Sequence, residues 1–185
     1  FGCARVADDF DSFLKAGDQA LAENTETIYY FAPEVFLSSV RYGKAQDVWA
    51  VACSFCELIR GTPLFPGHSP LDQIKLIVRK IGKPTTDDLS FINSSHKVRF
   101  VQALNSNGSQ LESSIRNAKK IHPQLFELLR SMLIFNPNHR ISAHIAHTNK
   151  MFDPYRYDAT PECSSVDWTL YKSRVSEVRR ARNSS

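Results

Sequence analysis

The chain has 185 residues, of which 42% are hydrophobic and 23% charged, and a formal net charge of +4. That balance fits one medium-sized globular domain and excludes disorder throughout. The basic residues are scattered outside a C-terminal cluster, so no nucleic-acid footprint is indicated; no apolar run approaches the roughly 20 residues of a membrane span and no N-terminal signal pattern is seen, which leaves cytoplasm or nucleus as the default location.

In chain order, residues 1–31 are polar and lack periodicity, which predicts a loop. Pro33 suits the first position of a short helix, where its missing N–H costs nothing, and Glu34 to Leu37 continues it. A longer helix is predicted over 46–60, ending at Gly61, a residue suited to a left-handed C-terminal cap. Its composition is apolar on nearly all sides, which demands cover on every side. The turn-rich run Thr62-Pro63-Leu64-Phe65-Pro66-Gly67 leads into a third helix over Pro70 to Ile81, with Leu71, Ile74, Ile77, Val78 and Ile81 at helical spacing.

Residues 82–121 are mixed and read as an insertion, with a helical patch at Val98, Val101 and Leu104 before the polar loop Asn105–Ser109. Gly82-Lys83, followed by Pro84 and with Ile77 where a glycine would be required, is a chain turn and not a phosphate-binding loop. Leu125, Leu128, Leu129, Met132 and Leu133 define an amphipathic helix. A shorter one over Ile141 to Ala146 is capped by Ser142 or its neighbours. A last helix is predicted from Asp167 to Arg182, whose cations favour the negative end of its macrodipole. No internal repeat is visible.

Four cysteines, Cys3, Cys53, Cys56 and Cys163, include one Cys-x-x-Cys pair. Cys53 and Cys56 lie inside the apolar 46–60 helix, where cysteine packs as a small hydrophobe. His139, His144 and His147 have no matching cysteine or carboxylate pair at zinc-ligand spacing, so they are expected on the surface, and no metal site is predicted.

Several ordered motifs remain: Phe1-Gly2, Ala32-Pro33-Glu34, Asp47-Val48-Trp49, Leu64-Phe65-Pro66-Gly67, Leu71-Asp72-Gln73-Ile74, Ile81-Gly82-Lys83-Pro84-Thr85 and Asn136-Pro137 with Arg140-Ile141-Ser142. Together they resemble the large lobe of a eukaryotic Ser/Thr protein kinase of the CMGC group. Leu89 to Leu104 and Phe152-Asp153-Pro154 look most like the mitogen-activated protein kinases. The resemblance covers essentially the whole chain. It implies a mainly α fold, the large helical lobe of the kinase fold without a small β lobe or catalytic loop. Residues 1–31 would be the activation segment, 32–151 the helical core with its insertion at about 85–121, and 152–185 a C-terminal extension.

The resemblance also implies roles. Phe1 and Gly2 would be the remnant of the magnesium motif, and Thr27 would position the catalytic loop and substrate. Glu34 would pair with Arg140 as a buried anchor, and Asp47 would hold the catalytic-loop backbone. Ile28, Tyr29, Tyr30 and Phe31 would line the substrate pocket, while Asp153, Asp158 and Glu162, with Arg156 intruding, would form a docking patch for protein regulators. The complete kinase would use ATP and magnesium. These 185 residues carry no Gly-rich loop, no strand lysine with its helix glutamate and no His-Arg-Asp loop, so the chain alone is expected to bind neither and to be inactive. His139-Arg140-Ile141 is structural, since its third residue is not a carboxylate.

Some positions depart from the family pattern. Ala22-Glu23-Asn24 stands where the family carries its Thr-x-Tyr phosphorylation motif, Ile28 and Phe31 stand where it places arginines, and Ala52 replaces a glycine. Loss of both the phosphate acceptors and the cations that receive them is physically coherent, because charge-assisted ordering needs both members. Two readings result: part of a kinase that acts on protein substrates, or a pseudokinase or kinase-derived scaffold that binds protein partners. In the isolated 185 residues the 46–60 helix is expected to lack the neighbours that the family packs on it, which would leave an apolar patch and poor solubility.

Overall fold

The computed structural model describes residues 25–38, 43–106, 108–115, 120 and 122–155. The chain divides into two compact units, Phe1–Met151 and Phe152–Ser185. Of the second, only residues 152–155 are described, within the 3-10 turn Lys150–Tyr155. The expected helix over Asp167–Arg182 lies outside the described residues.

Among the described residues every regular element is a helix or 3-10 turn. The α-helices are α1 (Pro33–Leu37), α2 (Lys44–Arg60), α3 (Pro70–Ile81), α4 (Ser95–Ala103), α5 (Leu111–Ser114), α6 (Pro123–Met132) and α7 (Ala143–His147), joined by 3-10 turns at Thr25–Tyr30 and Asp87–Leu89. Sequence signals set most of the ends. Pro33, Pro70 and Pro123 occupy the first turns of α1, α3 and α6, where a missing N–H is harmless. The side chains of Ser69, Ser94 and Ser142 cap α3, α4 and α7 by accepting from Asp72, Lys97 and Ile145 N–H. Gly61 ends α2 with φ of 74°, a left-handed conformation that a Cβ would strain, and its N–H donates to Glu57 C=O at 2.7 Å.

The expected loop over residues 1–31 is corrected at its end, because Thr25–Tyr30 is a 3-10 turn closed by Phe31 N–H on Ile28 C=O at 3.1 Å. Too short for apolar periodicity, the turn is held by its attachments to α2 and α3.

α2 is the central element, packing against α6, α7 and the Thr25–Tyr30 turn, while α3 packs against α1, α5 and the same turn. The core is built from Val48, Trp49, Ala52, Cys53 and Cys56 of α2, Ile74, Ile77 and Val78 of α3, Leu64 and Phe65 between them, and Phe126, Leu128 and Leu129 of α6. Each fully buried large side chain contributes about 1.5–3 kcal/mol by transfer from water. The opposite side of α2 is open: Val51, Phe55 and Leu58 are exposed, Leu58 by 80%. They follow one another at i, i+4 and i+7 and form one stripe.

Candidate functional site

Glu34 is fixed in the first turn of α1, and Arg140 follows the turn after α6. Both are buried, at 5% and 6% exposure. The guanidinium clasps the carboxylate in bidentate fashion, Nη1 to Oε1 at 2.6 Å and Nη2 to Oε2 at 2.9 Å. Its remaining donors are also used, Nη1 on Ala45 C=O at 2.8 Å, Nε on Ile134 C=O at 3.1 Å and Nη2 on Phe135 C=O at 3.5 Å. The flat face of Arg140 lies over the Trp49 ring at 5.0 Å, and that indole stacks on Phe65 with centroids 5.5 Å apart. One side chain therefore ties together α1, the start of α2 and the turn after α6. Satisfying the guanidinium so fully is what permits a charge to sit there, since an unpaired buried ion is prohibitively costly.

Just ahead of α1 runs the segment Thr25–Phe31. The backbone of Thr27 lies in its 3-10 turn. Ile28 faces the core at 2% exposure, and Tyr29, Tyr30 and Phe31 are half-buried. Tyr30 Oη donates to Glu57 Oε2 of α2 at 2.6 Å. That bond, reinforced by burial and by the carboxylate's negative charge, pushes the Tyr30 hydroxyl from 10.0 up to about 12. On the other flank, Gln73 Nε2 of α3 donates to Tyr29 C=O at 3.3 Å. The Phe31 ring meets Phe36 of α1 with centroids 6.1 Å apart. A short stretch of main chain is thus pinned to both long helices while part of three aromatic side chains reaches solvent.

Of the remaining expected site residues, Asp47 and Asp153 are among the described ones. Asp47 is exposed in the first turn of α2, and Asp153 is exposed in the Lys150–Tyr155 turn. Phe1, Gly2, Asp158 and Glu162 lie outside the described residues, as do Ala22-Glu23-Asn24. Among the described residues no three His, Cys, Asp or Glu side chains converge as a metal site. His139, His144 and His147 are exposed, with His139 Nε2 at 3.7 Å from Asp87 Oδ2.

Sequence reasoning missed Glu57 and Gln73 as supports of the segment. Glu57 had a signal, a carboxylate inside an apolar helical run, which needs a partner. Gln73 stood in the motif Leu71-Asp72-Gln73-Ile74, beside Ile74 on an apolar face, with nothing local to name its partner.

The chain matches the family model described as the protein kinase domain over residues 1–152. It is 35% identical over 174 residues to the mitogen-activated protein kinase Hog1 of Zymoseptoria tritici, covering 92% of this chain and 45% of that protein. The mitogen-activated protein kinases HOG1 of Hortaea werneckii and Scheffersomyces stipitis are each 34% identical over the same length, with 45% and 42% of their own lengths covered. The chain spans less than half the length of these relatives.

Proposed function

The chain belongs to the protein kinase family, and from that premise we propose that it is the large-lobe part of a MAP-kinase-like Ser/Thr kinase. When complete, that kinase transfers the ATP γ-phosphate to hydroxyls of protein substrates. The observation that carries this reading is the pinned segment Ile28–Phe31, held on α2 and α3 and followed directly by the Glu34–Arg140 anchor. Phosphoryl transfer is mostly positioning and electrostatics, so a firmly placed stretch beside the reacting groups is what this part of the protein contributes.

In this reading Tyr29, Tyr30 and Phe31 present the surface against which the substrate chain lies, and Ile28 supports them from the core. Thr27 positions the catalytic loop and substrate, and Asp47 holds the backbone of that loop. Asp153, with Asp158 and Glu162, receives basic segments of protein regulators, weakened by Arg156. In the complete kinase ATP and magnesium are held by the Gly-rich loop, the strand lysine and the His-Arg-Asp loop, which these residues do not include. We accordingly propose that the 185 residues alone transfer no phosphate.

A scaffold reading is favoured by one specific feature, the joint loss of the Thr-x-Tyr acceptors at Ala22-Glu23-Asn24 and of their arginine receivers at Ile28 and Phe31. The test is to express the complete polypeptide that carries these residues and follow radiolabelled phosphate transfer from ATP to a protein substrate, beside the 185 residues alone. Transfer by the former only supports the kinase reading. Transfer by neither, with partner binding retained, moves the assignment to a scaffold, and turnover by the isolated chain overturns its proposed inactivity.

A further inference from the structure

Gln73 is wholly buried, at 0% exposure, next to Ile74 and close to Ile77 and Val78 on the inner face of α3. An amide in such surroundings is tolerated only when both of its ends are bonded. Here Oε1 accepts from Gly67 N–H at 3.0 Å and Nε2 donates to Tyr29 C=O at 3.3 Å. The orientation of the amide is unambiguous, since one partner can only donate and the other only accept. Gly67 is fitted to this contact: a Cβ at that position would stand 2.8 Å from the Gln73 Cα and backbone N.

An apolar side chain of similar volume would fill the core at least as well, but it would leave Tyr29 C=O without this partner. What the amide adds over such a side chain is a single defined position for main chain 44 residues away. We propose that Gln73 is a positioning residue for protein substrate, holding the segment Ile28–Phe31 through the Tyr29 carbonyl in the geometry that receives the substrate chain. This rests on the kinase reading of that segment. The hold comes from a neutral amide in the core, and it operates without any phosphorylated side chain.

The test uses Gln73→Met and Gln73→Leu, each of which removes both bonds and keeps an apolar side chain of similar volume. Hydrogen exchange on the 185-residue chain is expected to accelerate by about tenfold at residues 28–31 in both variants, with Pro123–Met132 unchanged. Unchanged exchange at 28–31, or an equal rise over Pro123–Met132, overturns the proposal. Should Gln73→Met not fold, Gln73→Leu gives the same readout. In the complete polypeptide the variants are expected to raise KM for a protein substrate several-fold while kcat and the KM for ATP stay as they were. A fall in kcat alone overturns the substrate-positioning role. If the unaltered complete polypeptide transfers no phosphate, the kinase reading fails, and the exchange measurement still decides whether Gln73 holds the segment.

Discussion

The hydroxyl of Tyr30 donates to the Glu57 carboxylate at 2.6 Å, across 27 residues of sequence, and so fastens the segment before α1 to the long helix that organises the core. A neutral phenol is what this bond requires. The folded state holds the Tyr30 proton more tightly than the unfolded chain does, so the bond's contribution is fully present below pH 10 and is lost as pH rises through about 12.

Ultraviolet titration of tyrosinate should therefore show one residue ionising near pH 12, and Tyr30→Phe should remove that step. The same substitution should cost about 1 kcal/mol in denaturant unfolding at neutral pH, the usual net worth of one such hydrogen bond. A titration in which all tyrosines ionise together near pH 10 would refute the account.

Removing one member of the Glu34–Arg140 pair should be far worse than removing both. Arg140→Met or Glu34→Leu alone strands a buried charge and should cost about 3–5 kcal/mol, while the two together should recover much of that loss. Urea unfolding of the two single variants and the double variant forms the cycle that checks it. Additive losses would show that the two side chains act separately.

Cys53 and Cys56 are both free and buried in α2, at 1% and 0% exposure. Burial pushes the Cys53 thiol well above its usual range, helped by Cys56 beside it, and raises Cys56 to about 12. Because the thiolate is the reactive form, both should resist iodoacetamide at pH 8 in the native chain and react on addition of urea. Mass spectrometry of the alkylated peptides reads the result, and rapid native labelling at either position would contradict the packing.

The exposed stripe Val51, Phe55 and Leu58 should make the isolated chain bind a hydrophobic dye and self-associate. Changing Phe55 to Gln and Leu58 to Lys should suppress both at a cost of about 1 kcal/mol, most of it from Phe55, which is 36% exposed and so partly packed. Dye fluorescence and sedimentation velocity are the measurements. A monomeric, dye-free preparation of the unaltered chain would count against the prediction.

Much of the architecture is legible in the sequence where signals are local. The spacing of Leu71, Ile74, Ile77, Val78 and Ile81 marks α3, Gly61 marks the end of α2, and Ser142 with the apolar residues after it marks α7. Leu71 shows the limit of that signal, since it shares the helical spacing and yet is 59% exposed. The Thr25–Tyr30 turn was not legible, because its shape follows from partners 27 and 44 residues away and not from its own pattern. Composition alone also made α2 uniformly apolar; which side is covered depends on which elements pack there, and that is tertiary information.

The Glu34–Arg140 contact spans 106 residues, which makes it a late event for a chain made from its N-terminus. Until Arg140 has left the ribosome, α1 carries a carboxylate destined for the interior with nothing to neutralise it. Contacts of such long range also slow folding, since much of the intervening chain must be ordered before they form. A nascent chain halted after α6 would therefore hold the segment before α1 on α2 and α3 while α1 itself still lacks its tie to Arg140. Apolar surface left open during such an interval is what chaperones and proteases recognise.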